Sequence, residues 1–151
     1  MKTNHLLLSL LCFVITAPAL RAGSPEAEKA FTEKYKSAFE AKDAATLESF
    51  LYTKDANPMA LGFYKSMMTT NAGDKITKIE LTNLSPADEK KAAEVQEGPG
   101  GVKMRLSLKP TKKLKITIEK KDGDNSFSST SESFVAEKDG RYVIPVPTDV
   151  K

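Results

Sequence analysis

Residues 102–119, VKMRLSLKPTKKLKITIE, carry the reading that decides the fold. Val102, Met104, Leu106 and Leu108 alternate with Lys103, Arg105, Ser107 and Lys109. Beyond Pro110, Thr111 and Lys112, the residues Leu114, Ile116 and Ile118 alternate with Lys113, Lys115, Thr117 and Glu119. A period of two places successive side chains on opposite faces of a strand. With Pro110 to Lys112 as the loop, the pattern predicts a hairpin in which Leu108 faces Leu114, Leu106 faces Ile116 and Met104 faces Ile118. One face of that hairpin is wholly apolar.

Downstream, Asp122 and Gly123 mark a turn, and a serine-rich stretch from Ser126 runs into Phe134 and Val135. Asp139-Gly140 is a two-residue hairpin signal, after which Tyr142, Val143 and Ile144 return before Pro145 and Pro147. Upstream, Ile76 to Leu84 reads as a further strand. Ile76 is out of phase with Ile79 and Leu81, so a bulge or a late start is expected. Ser85, Pro86 and Asp88 begin a short polar helix reaching about Val95, and Gly98, Pro99, Gly100 and Gly101 break it.

Before the strands the period is helical. Ser24, Pro25, Glu26 and Glu28 supply a capping hydroxyl, a proline at the first helical position and acids at the positive end of the dipole. Ala27, Ala30, Phe31, Tyr35 and Ala38 then share one side, with Phe39 at its edge, opposite Glu33, Lys36 and Glu40. Asp43 caps a second, shorter helix carrying Leu47, Phe50 and Leu51. Asn57 and Pro58 open a third, whose apolar set is Ala60, Phe63, Tyr64, Met67 and Met68. Helices first and strands afterwards define an α+β domain: N-terminal helices packed on one face of a curved antiparallel sheet, a meander of four strands preceded by a fifth.

The N-terminus reads differently from the rest. Lys2, the apolar run Leu6 to Ile15 and the small residues Ala17, Ala19 and Ala22 follow the order of a cleavable export signal, with cleavage after Ala19 or Ala22. The domain division is therefore residues 1–22 as signal peptide and 23–151 as one α+β domain, exported to the periplasm or secreted. The apolar run is too short to span a bilayer, so no membrane span is expected. The only histidine, His5, and the only cysteine, Cys12, lie inside the signal, and the chain has no tryptophan. Removing residues 1–22 also takes Lys2 and Arg21, which brings the net charge from +3 to +1. The mature chain then lacks the imidazole base, the thiolate nucleophile and the two softest metal ligands. No metal, cofactor or catalytic residue is implied.

The sequence Phe31, Tyr35, Ala38, Phe39, Lys42, Asp43, Leu47, then a Phe63-Tyr64 helix and long strands ending in Arg141-Tyr142-Val143-Ile144, resembles the nuclear transport factor 2-like superfamily. These are cone-shaped α+β domains similar to ketosteroid isomerase and the polyketide-cyclase-like proteins, in which helices close a pocket over a curved sheet. The resemblance implies the fold and such a pocket. No motif carries a catalytic residue of the family onto this sequence, and the strand usual between the second and third helices has only Tyr52 to Asn57 to occupy.

Two candidate sites follow. Concave apolar pockets at helix–sheet junctions take ligands, and Phe31, Tyr35, Phe63, Tyr64 and Met67 are placed to line one for a small apolar ligand or a protein partner. The second is a lysine face: in the predicted register Lys103, Arg105, Lys109, Lys113 and Lys115 point one way, with Lys109 opposite Lys113, a surface that could hold an anion or acidic glycan. As a solubilising outward face it needs no ligand. No aromatic side chains alternate with these cations to stack bases, so nucleic acid is not an expected partner. The functional expectation is non-catalytic binding in the pocket. The alternative is a histidine-free lyase or isomerase using Asp and Tyr there; a homodimer through the sheet is one assembly the sequence allows, and it leaves the oligomeric state open.

Overall fold

The structure, a computed structural model, describes residues 23–122 and 125–150. The proposed signal segment, with His5 and Cys12, lies outside the described residues.

Among the described residues, four α-helices form where the local chemistry starts them. Helix α1 (Pro25–Glu40) is capped by the Ser24 side chain, which accepts from the Ala27 N–H. Helix α2 (Ala44–Glu48) is capped by Asp43, which accepts from the Thr46 N–H. Asn57 caps α3 (Pro58–Thr69), and Ser85 with Asp88 forms a reciprocal capping box on α4 (Pro86–Ala93). Helix α2 stops sooner than the sequence pattern suggested. Phe50 follows it, and Leu51 with Tyr52 forms β1, the short strand that the stretch before Asn57 had no evident room for.

Two sheets follow. The larger has the order β1, β7 (Arg141–Pro145), β6 (Asn125–Lys138), β5 (Lys112–Asp122) and β2 (Lys75–Asn83). It is antiparallel throughout except for β1, which runs parallel to β7 with Leu51 opposite Ile144. The smaller is β3 (Gln96–Glu97), β4 (Lys103–Leu106) and β8 (Pro147–Asp149), all antiparallel. The domain is α+β, with helices packed on a curved sheet.

The hairpin predicted between residues 102–108 and 114–118 does not form. Strand β5 pairs instead with β2, setting Leu114 against Leu81, Ile116 against Ile79 and Ile118 against Ile76, and β4 pairs with β3 and β8. Strand β4 ends after four residues at Leu106 and leaves Leu108 outside any ladder, whereas β2 runs nine residues and its bulge brings Ile76 into phase with Ile79 and Leu81. The expected irregularity at Ile76 is present as a register shift between Ile76 and Lys78. The Ile76 N–H, freed there, donates to Glu40 Oε1 at 3.0 Å and ties the bulged strand to the last turn of α1.

The core lies between α1 and the sheet. Phe31 meets Phe50 edge-on at 5.1 Å and Tyr142 at 5.7 Å, and Tyr35 meets Phe50 at 5.4 Å between ring centroids. Leu114, Ile116, Ile118 and Ile76 close this cluster from the sheet side.

Candidate functional site

A cleft of about 330 Å³ opens beside this core. Helix α1 supplies Tyr35 and Phe39, α3 supplies Phe63, Met67 and Met68, and the sheet supplies Ile116 and Ile118 from β5 with Ser129, Ser131 and Ser133 from β6. The serines belong there by register. Ser129 pairs with Ile118, Ser131 with Ile116 and Ser133 with Leu114, and directly paired residues share a face. The floor is thus an aliphatic row beside a hydroxyl row. Phe63 overhangs it, 65% exposed, and Met67 is 38% exposed, so the outer wall is apolar surface left facing solvent.

Ser66, Thr70 and Asn71 line one end of the cleft. There Lys120 donates to Asn71 Oδ1 at 2.6 Å and ion-pairs with Asp74 at 3.3 Å, tying the end of α3 to β5. Among the described residues, the lining contains no acidic or basic side chain. Its one titratable group is Tyr35, whose residue is only 4% exposed. Burial pushes the Tyr35 phenol up to about 12, so it stays protonated at neutral pH. The cleft therefore offers a neutral donor, a serine row and apolar walls. It can hold an uncharged amphipathic molecule, and it presents no carboxylate for proton transfer.

Of the five residues expected at the pocket, Tyr35, Phe63 and Met67 come together. Phe31 does not: with Phe50 and Tyr142 it floors a separate hollow of about 390 Å³, rimmed by Lys34 and Arg141. Tyr64 lines a third hollow with Phe134 and Pro147, and burial raises its phenol pKa. The lining residues that sequence reasoning left out are Phe39, Met68, Ile116, Ile118, the three serines of β6 and, at one end, Ser66, Thr70 and Asn71. Serine at every second position from 129 to 133 was the available signal, and it has no apolar alternation to mark its inward face.

The five cations expected on one face are divided. Lys103 and Arg105 stand on β4 in the smaller sheet and Lys109 follows in a loop, while Lys113 and Lys115 stand on β5. Lys113 lies opposite Thr82 and Phe134 and not opposite Lys109. It bonds to Asp88 at 3.0 Å and pairs with Glu132 at 3.2 Å, and Lys115 reaches Glu132 at 3.6 Å. Those hydrogen bonds, Asp88's first, raise the Lys113 pKa. Opposed lysines would have repelled; interleaved acids remove the conflict.

No protein-family profile matches the sequence, and no curated protein matches it. Among solved structures, the chain is similar to the helical cell shape determining protein Pgp2 of Campylobacter jejuni. The TM-score is 0.39 at 12% identity, over 77% of this chain and 37% of that one. It is also similar to a substituted variant of the protein Rd1NTF2_05, with a TM-score of 0.38 at 8% identity over 81% of this chain and 95% of that one. The chain spans little more than a third of the length of the Campylobacter protein. Among the described residues, no helix is long and apolar enough to cross a membrane.

Proposed function

We propose that this is an exported, non-catalytic binding domain of the nuclear transport factor 2-like type, and that its cleft takes a small uncharged molecule with an apolar body and at least one hydrogen-bonding group. The observation that carries this reading is the cleft lining itself: the Tyr35 phenol, kept protonated by burial, stands with serines, aliphatics and aromatics and, among the described residues, with no charged side chain. A ligand carbonyl or hydroxyl can pair with the Tyr35 phenol or with the serine row. The order of helices before strands and the Phe31, Tyr35 and Phe39 helix beneath the sheet support the family assignment. The Lys2, Leu6 to Ile15 and Ala22 pattern supports export.

A lyase or isomerase on this site would need a carboxylate beside the tyrosine, and the described lining supplies none. The test is native mass spectrometry of the protein as recovered from its host, followed by titration with the uncharged fluorophore N-phenylnaphthylamine. A retained small molecule, or saturable fluorescence lost in Phe63→Ala and Met67→Ala, is the expected result. An empty protein whose fluorescence is indifferent to both substitutions overturns the reading.

A further inference from the structure

The long strand β6 is paired on both sides only at one end. Its contact with β7 covers Ala136, Glu137 and Lys138, whereas β5 accompanies it from Asn125 to Val135. From Phe127 to Phe134 its second edge therefore carries no ladder among the described residues. Among the described residues, no side chain bonds to that backbone from outside β5. Phe127 to Glu132 are exposed, and Ser133 and Phe134 are half-buried.

Open edges are normally blunted by lysine, proline, bulges or covering segments. The opposite edge of this sheet, β2, has such guards: a bulge at Ile76 to Lys78, the charged residues Lys75, Lys78 and Glu80, and α4 directly after it. The run Phe127-Ser-Ser-Thr-Ser-Glu-Ser-Phe134 has no lysine, proline or glycine and a single charge at Glu132. One edge is built to refuse a strand and the other is not.

We infer that the Phe127–Phe134 edge of β6 pairs antiparallel with the same edge of a second copy of this chain. The run is compatible with itself. A two-fold axis at Thr130 sets Ser128 opposite Glu132 of the partner subunit and Ser129 opposite Ser131 of the partner subunit, so no like charges meet and hydroxyls face hydroxyls. It also sets Ser133, in the cleft, opposite Phe127 of the partner subunit. Phe127 shares the cleft face with Ser129 by the alternation of the strand and is 59% exposed here. Such a pairing is closed: it uses the open β6 edge of both copies, and the sheet edges left outside are the guarded β2 and the two-residue β1, too short to template a further strand, so assembly stops at two.

The test is sedimentation velocity over a dilution series of the protein as its host produces it, with hydrogen exchange across β6. The dimer is expected to dissociate on dilution, with edge amides of residues 127–134 exchanging faster as it does. Thr130→Lys puts like charges at the axis on the outer face, away from the cleft. It should weaken the dimer several-fold while leaving the circular dichroism of the fold unchanged, the exposed Thr117 contact being its one loss within the monomer, and added salt should restore part of the affinity. A monomer at every concentration overturns the inference, whether its edge amides exchange freely or are protected from within one chain. So does a dimer that a folded Thr130→Lys protein retains undiminished. Ligand binding by the monomer would leave the functional reading intact.

Discussion

The backbone N–H of Gly23 donates to the Tyr142 hydroxyl at 2.7 Å, joining the entry of α1 to strand β7 across 119 positions of sequence. Gly23 holds a φ of +93°, a conformation that side chains other than glycine's resist. Tyr142→Phe keeps the ring against Phe31 and removes only the acceptor, so it should cost about 1 kcal/mol in urea unfolding with an unchanged m-value. Cleavage after Ala22 would place the α-amino group on this hydroxyl, and a charged donor makes the stronger bond. A protein cut there should lose more on substitution than one cut after Ala19.

Phe31 and Phe63 look alike as apolar helix residues, yet they answer to different measurements. Phe31 is buried among Phe50, Tyr35 and Tyr142, and Phe31→Ala should destabilise by about 3–5 kcal/mol. Phe63 touches Tyr64 at 6.2 Å but stands 65% exposed. Phe63→Ala should change stability by no more than about 0.5 kcal/mol while abolishing fluorophore binding. Equal losses of stability would mean that Phe63 is core and the cleft is closed.

Tyr35→Phe removes the hydroxyl and keeps the ring against Phe31 and Phe50, so at neutral pH folding should change by no more than about 1 kcal/mol. The ionisation of Tyr35 provides a second reading. Its folded pKa of about 12 lies above the unsupported value of 10.0, so the stability it confers is complete below pH 10 and falls as pH rises towards 12. Thermal melts between those limits should show a decline in the wild type that is reduced in Tyr35→Phe. Ligand affinity should fall in the variant, because the donor is gone.

What could be read in the sequence was what is decided locally. Ser24, Asp43, Asn57 and Ser85 each cap a helix because a side-chain oxygen meets an N–H two or three residues on, and the bulge at Ile76 shows as a break in alternation. The choice of strand partner is not local. Leu114, Ile116 and Ile118 suit Met104, Leu106 and Leu108 as well as they suit Ile76, Ile79 and Leu81, and alternation alone does not choose between them. The cleft suffered from the same ambiguity. Tyr35, Phe63 and Met67 announced themselves as bulky apolar residues on helices, whereas Ser129, Ser131 and Ser133 enter the cleft only through their register with β5.

Asp88 closes the capping box of α4 and also receives Lys113 across the sheet. The Ser85 hydroxyl and N–H, then Lys113, hold its carboxyl down at about 2 against an ordinary 3.8. A depressed acid contributes stability that is complete above the ordinary value and is lost as pH falls through the folded one. Stability should therefore drop between about pH 4 and pH 2, and Asp88→Asn should flatten that part of the profile. Chemical-shift titration of Asp88 itself with a midpoint near 4 would contradict this.

Asn57 is the buried polar residue that fixes the cleft's outer wall. Its Oδ1 accepts from the N–H groups of Met59 at 2.9 Å and Ala60 at 3.1 Å, its Nδ2 donates to Asp149 at 2.7 Å, and its own N–H donates to the Pro147 carbonyl at 2.9 Å. One side chain thus starts α3 and anchors it to β8. Asn57→Ala should cost about 1–3 kcal/mol through the lost cap and the orphaned donors. Asn57→Asp separates the two functions, because it keeps the cap acceptor but sets a carboxylate against that of Asp149. At pH 7 it should destabilise at least as much as Asn57→Ala, and on acidification to about pH 4 it should recover as the pair shares a proton. If Asn57→Asp is as stable as wild type at pH 7, the Asp149 contact does not hold α3, and the position of Phe63 and Met67 over the serine row must rest on packing alone.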